Sequence, residues 1–217
     1  MSDSIDKIWI ATALKALDQL CALFEFMVDE YASQGLTLAN NEDLIRNAFL
    51  RYILDDRGRH KLQHLTFNAE AQDVGLIDPQ PHYTDLKMEP RREGFDDPRR
   101  YYVIIECKRL NGQRRLNKEY VDEGIIRFCT DHYISPLGIS AMFGFRVSAC
   151  EEASVRSEVG TILAGIEGRG TEVVQSIAVQ DRLWAWRSDH SRAPGTDLRI
   201  FHRILACDNV IMPAEKS

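Results

Sequence analysis

Along residues 5–33 apolar side chains fall at Ile10, Leu14, Leu17, Cys21, Phe24, Val28 and Tyr31, in alternating steps of four and three. That is the period of a helix seam. A second seam runs beside it through Trp9, Ala13, Ala16, Leu20, Leu23 and Met27, and the remaining polar stripe (Lys7, Lys15, Asp18, Glu25, Asp29) is narrow. With no internal Gly or Pro, the segment predicts one long helix that buries most of its girth. It does so against its own domain, or in part against a second copy or a partner chain. Gln34-Gly35 closes it. Asn40 or Asn41 then caps a second helix over about 41–54, whose first turn carries Glu42 and Asp43 on the favourable side of the dipole.

After Gly58 the period shortens to that of strands. These are expected near 62–71, 82–89 and 101–109, followed by a helix over 117–132, a strand at 138–147 and a helix at about 151–167. Two last strands are placed near 173–187 and 197–207. The order is α/β in class (mixed α+β), with an antiparallel hairpin at its centre. Trp184 and Trp186 alternate and are expected to fill one face of a late strand, paired with Phe201 in a satellite core or an interface.

The length of 217 residues fits one ordinary domain with a helical appendage. The chain divides into an N-terminal helix over 1–36, for packing or oligomerisation, and a domain over 37–217 with its core at 41–147 and a C-terminal part at 148–217. A net charge of -6 excludes a protein that coats nucleic acid by bulk charge. The five cysteines are odd in number, scattered and without CxxC spacing, which predicts neither a disulfide framework nor structural zinc and points to a reducing cytoplasm. No secretory leader is expected, and Lys15, Asp18 and Glu25 argue against a membrane span in the apolar stretch 8–28.

Chemistry concentrates in Tyr83-Thr-Asp-Leu-Lys-Met-Glu89 and Tyr101-Tyr-Val-Ile-Ile-Glu-Cys-Lys-Arg109. Strand alternation puts Glu106 and Lys108 on one face with Tyr102 and Ile104, and Val103, Ile105 and Cys107 on the other. If the two strands form a hairpin symmetric about residues 90–100, Asp85 lies across from Glu106, with Lys108 two residues along. Two carboxylates opposite one another repel, and a cation between them removes that cost. Oxygen ligands from Asp85 and Glu106, with the backbone carbonyl of Cys107, suit Mg2+ or Mn2+. Lys108 would orient an attacking water or stabilise charge developing on a phosphate.

This Asp, spacer, Glu-x-Lys arrangement resembles the PD-(D/E)xK nuclease superfamily, the restriction-endonuclease-like fold, with Asp85, Glu106 and Lys108 at its acidic and basic positions. Thr84 stands where the family name has Pro. The resemblance covers roughly residues 41–147. It implies a central mixed sheet flanked by helices, a metal-dependent endonuclease acting on DNA, favoured over RNA as the alternative, and a place in prokaryotic (antiviral) defence. In that family a Glu on the helix before the sheet assists metal binding. Glu42 is the candidate, with Glu70 as its rival.

The basic residues favour a nucleic-acid partner. Between Arg91 and Lys118 there are nine Lys or Arg and four Asp or Glu, a local excess of +5 in an acidic chain. Arg109, Arg114, Arg115 and Lys118 are placed to track a phosphate backbone, and Tyr120 to stack on a base or cap a phosphate contact. A homodimer or a larger complex formed through the N-terminal helix would supply targeting. The alternative is a catalytically silent subunit of the same fold that binds nucleic acid or a protein partner.

Overall fold

A computed structural model describes residues 2–55, 62–74, 81–91, 100–130, 132–133, 135–166, 171–176, 183–192 and 196–212. Helix α1 spans Ser2–Ser33 and α2 spans Glu42–Leu54. Asn41, in extended conformation, accepts from the Leu44 amide through its side chain and so starts α2. The strands are β1 (Leu65–Val74), β2 (Pro81–Pro90), β3 (Val103–Leu110), β4 (Ile139–Arg146), β5 (Thr171–Ser176), β6 (Leu183–Arg192) and β7 (Thr196–Ala206). Between β3 and β4 lie α3 (Arg114–Tyr120), a π-helical turn (Val121–Ile125) and α4 (Ile126–Cys129); α5 (Glu152–Ala164) follows β4.

The strands form one mixed sheet in the order β1-β2-β3-β4-β7-β6-β5. β1, β2 and β3 pair antiparallel, β3, β4 and β7 pair parallel, and β7, β6 and β5 return to antiparallel. The single strand expected over 173–187 is instead the antiparallel pair β5 and β6. A fifteen-residue strand is long for a domain this size, and the polar Gln180-Asp181-Arg182 interrupts its apolar pattern.

Two apolar clusters lie on the two faces of the sheet. The first joins α1 and α2 to Leu86, Met88, Val103, Ile105 and Cys107, with Phe143 and Phe145 from β4. The second gathers the π turn, α4 and α5 against Ile104, Met142, Trp186 and Ile204. The second seam of α1, Trp9 through Met27, is wholly buried within the chain, so the helix covers its own domain's sheet. Ile8 and Phe26 are left exposed on it. Trp184 and Trp186 do line one face of β6, but Phe201 does not join them. It packs in the first cluster, because Trp186 pairs with His202 and Phe201 is thereby turned to the other side.

Phe24 shows how α1 is held: its ring stacks on Phe145 at 5.5 Å between centroids and meets Phe49 edge-on at 5.1 Å. Phe24→Ala would empty a fully buried aromatic site and is expected to cost about 3–5 kcal/mol of unfolding free energy. Urea denaturation followed by circular dichroism measures it, and a loss below about 1 kcal/mol would mean that α1 is not part of the cooperative core.

Candidate functional site

The β2–β3 ladder pairs Met88 with Val103, Lys87 with Ile104 and Leu86 with Ile105. The next rung would join Asp85 and Glu106, as the symmetric hairpin requires, and there the regular pairing stops. The Cys107 amide donates to the Asp85 carboxylate, with Oδ2 at 2.7 Å, in place of a main-chain carbonyl. In an antiparallel strand the N–H and C=O of one residue point to the same side, so the Cys107 carbonyl faces that opening as well. Asp85 is thus fixed by the backbone of the strand that carries Glu106 and Lys108.

Glu106 is 1% exposed, and both of its oxygens are engaged. Oε1 lies 3.1 Å from Lys108 Nζ and 2.9 Å from Arg127 Nη1, while Oε2 accepts from the Tyr133 hydroxyl at 2.8 Å. Lys108 reaches on to Glu42 Oε1 at 2.8 Å, and Glu42 Oε2 accepts from the Arg109 amide at 3.1 Å. Asp85 Oδ1 pairs with the buried Arg46 at 2.5 Å. The cation expected between the opposed carboxylates is therefore supplied three times over by the chain itself, through Arg46, Lys108 and Arg127. Sequence reasoning missed Arg46, Arg127 and Tyr133.

Burial first, and then the charge of Asp85, push the Glu106 carboxyl up to about 7 against the pull of Lys108 and Arg127. Burial alone would lower Lys108. The charges of Glu106, Glu42 and Asp85 prevail and hold its ammonium well above the usual range. Glu42 is raised, chiefly by burial. The Cys107 thiol is fully buried in the first cluster, and burial pushes it well above its ordinary value, which leaves it inert as a nucleophile.

Of the two rival accessory acids, α2 brings Glu42 onto Lys108; Glu70 falls within β1, and its side chain lies outside the described residues. Among the described residues no group of three or more His, Cys, Asp and Glu is arranged to hold a metal. Mg2+ commonly takes one or two carboxylates and completes its shell with water and substrate phosphate. Asp85, Glu106 and the Cys107 carbonyl are oxygen donors of that kind, and the charge of Asp85 raises the cost of ionising Glu106; a metal held by them would take the place of Arg46 on Asp85 and of Lys108 or Arg127 on Glu106.

The expected nucleic-acid residues divide. Arg109 is fastened to Asn40, donating to its carbonyl at 2.7 Å and its side-chain oxygen at 3.0 Å. Arg114 is exposed; Arg115 and Lys118 are exposed too, each paired one turn on, with Glu119 and Asp122. Tyr120 is corrected: it is fully buried, its hydroxyl hydrogen-bonded to His202 Nδ1 at 2.7 Å, and it cannot stack on a base. Leu116, Tyr120 and Gly124 recur at steps of four, and that spacing marks the inward face of α3 and the π turn. At Gly124 the helix comes close to the sheet: a Cβ there would lie 2.4 Å from Met142 Cε, so that this flexible side-chain end would have to move, and 3.5 Å from Lys108 Cγ.

The pH dependence follows from the raised Glu106 carboxyl. Between its usual 4.5 and about 7 the folded state holds the proton that the unfolded state has lost, so Glu106 lowers stability as pH rises through that window. Glu106→Gln should remove this decline. The stability of wild type relative to the variant is expected to fall by roughly 3 kcal/mol across the window, read from urea midpoints at several pH values. A constant difference would mean that Glu106 is ionised throughout.

Neither a protein-family model, nor a curated protein, nor a solved structure matches the chain, which leaves the geometry of these side chains as the ground for any functional reading.

Proposed function

We propose that the chain is a divalent-metal-dependent endonuclease of PD-(D/E)xK type, hydrolysing phosphodiester bonds in DNA, with RNA as the alternative substrate. The observation that carries this reading is the meeting of Asp85, Glu106, Lys108 and Glu42 at the point where β2 parts from β3. The succession α2, β1, β2, β3, helix, β4, with β3 and β4 parallel, supports a restriction-endonuclease-like core extended by β7, β6 and β5.

Mg2+ or Mn2+, held by Asp85, Glu106 and the Cys107 carbonyl, would supply a Lewis acid for a phosphate oxygen and a lowered pKa for water. Lys108 keeps its proton, because three acids surround it, so it steadies charge on the phosphate and does not act as the base. Glu42 anchors Lys108 from α2 and is the accessory acid. Arg114, Arg115 and Lys118 are exposed on the helix after β3 and would hold the strand's backbone. Five free thiols suit a cytoplasmic site, and no described helix is long and apolar enough to cross a membrane. Action in defence against foreign DNA, as a homodimer or within a larger complex, belongs to the same family reading.

One observation favours a second reading, a catalytically silent subunit that binds nucleic acid or a protein partner. Glu42, Asp85 and Glu106 are each already paired with a cation of the chain, through Arg46, Lys108 and Arg127, so the three acids have partners without a metal.

Incubating the protein with plasmid, linear and single-stranded DNA and with RNA, in Mg2+ or Mn2+, separates the two. Cleavage should vanish in chelator and in Asp85→Ala, and fall on the order of a hundredfold or more in Lys108→Ala, with folding retained. Cleavage unchanged in both variants would reject the site. Binding without cleavage under every condition would establish the silent subunit.

A further inference from the structure

We infer that Tyr83 is a stacking platform for a nucleobase beside the site, and that the substrate is therefore a locally unpaired strand. The inference rests on the nuclease reading for its ligand class but draws on different observations. Tyr83 lies on β2 two residues before Asp85, so its side chain projects to the same face of the sheet as Asp85 and Lys87, roughly 7 Å along the strand. Its side chain is among the most exposed large apolar groups of the described residues, at 59%. A single exposed aromatic is ordinary on a protein surface. This one is tied to the acids by its backbone: the Tyr133 hydroxyl that donates to Glu106 Oε2 also lies 3.2 Å from the Tyr83 carbonyl. The main chain that carries the ring thus has a fixed place relative to the buried carboxylate.

The cations complete the arrangement. The Arg127 guanidinium, about a third exposed at 36%, touches Glu106 from the side of α4. Lys87 stands on the other side of Asp85, with its ammonium 4.2 Å above the Tyr102 ring and 2.8 Å from Glu89 Oε1. The order aromatic then acid along one strand face, with the part-exposed Arg127 beside the acids, matches a base followed by the phosphate next to it. Stacking on an exposed ring needs the π-face of a base, which a duplex keeps covered by its neighbours. A paired strand offers Tyr83 nothing to stack on, whereas a single strand, a frayed end or a flipped nucleotide does. With Tyr120 buried against His202, Tyr83 takes the role that the sequence assigned to the other tyrosine.

The test uses the full-length protein in chelator, so that no strand is cut. Fluorescence anisotropy would follow a labelled fifteen-residue DNA single strand, the same sequence as RNA, and the matching duplex (about one and a half turns of helix). A 2-aminopurine within the single strand would report stacking. Tyr83→Ala should weaken single-strand binding on the order of tenfold and abolish the quenching of 2-aminopurine, with duplex binding unchanged, while Tyr83→Phe should retain both signals. The DNA and RNA arms distinguish the two sources of an unpaired base. Equal binding by wild type and Tyr83→Ala, or a wild-type preference for duplex, would overturn the platform. A Tyr83-dependent stacking signal with no cleavage in any metal would sustain the platform and sink the nuclease. Cleavage that needs Asp85 but ignores Tyr83 would do the reverse.

Discussion

A carboxylate removed from water must be answered by charge or hydrogen bonds, and Glu106, almost wholly buried between the sheet and α4, is the point at which this chain meets that demand. Lys108 answers from the same strand face, Arg127 from the helix after the π turn, and Tyr133 from the segment before β4. Each of these depends on a different part of the fold being in place. Strand alternation delivers the lysine, the crossover between two parallel strands delivers the arginine, and the return of the chain toward β4 delivers the tyrosine. Taking one away would leave a buried charge with fewer partners, which is why the acid couples the second layer of the molecule to its centre.

The parting of β2 from β3 does complementary work for Asp85. Where the ladder stops, the Cys107 amide would be an unpaired buried donor, and the aspartate side chain takes the place of the missing carbonyl. Arg46 of α2 then neutralises the other oxygen. The helical layer and the sheet, packed together by apolar side chains, are joined here by ion pairs as well, since Glu42 from the same helix also holds Lys108, and Asp18 of α1 pairs with Arg203 of β7 farther along. The same irregularity that completes the hydrogen bonding opens the space in which oxygen donors collect.

Much of this was legible in the chain. The equal distances of Asp85 and Glu106 from the middle of their connecting loop fixed the rung, and the alternation around Glu106 and Lys108 fixed the face. An asparagine cap, at Asn40 or Asn41, and the uninterrupted seams of α1 marked the two leading helices, and the structure places the cap at Asn41. What escaped was set by tertiary contact. Arg46 and Arg127 look like the solvated arginines of any amphipathic helix, because their acids lie 39 and 21 residues away in sequence. Tyr120 was misplaced for a local reason. The helix starts at Arg114, earlier than the first apolar cue indicated, and its inward face follows Leu116, Tyr120 and Gly124. The β5–β6 pair was hidden because period-two alternation does not reveal where a strand reverses.

The π-helical turn at Val121–Ile125 adds one residue to a helix that would otherwise run at 3.6 residues per turn. Everything downstream is thereby rotated by about a hundred degrees relative to an unbroken α-helix. That phase offset is what aims Arg127 at the sheet while Tyr120, a little more than one turn before the insertion ends, still points into the core. The reach of the guanidinium is therefore encoded in the count of residues between two anchors. Removing a single amino acid from the turn would leave the arginine and its acid chemically intact and swing the one off the other.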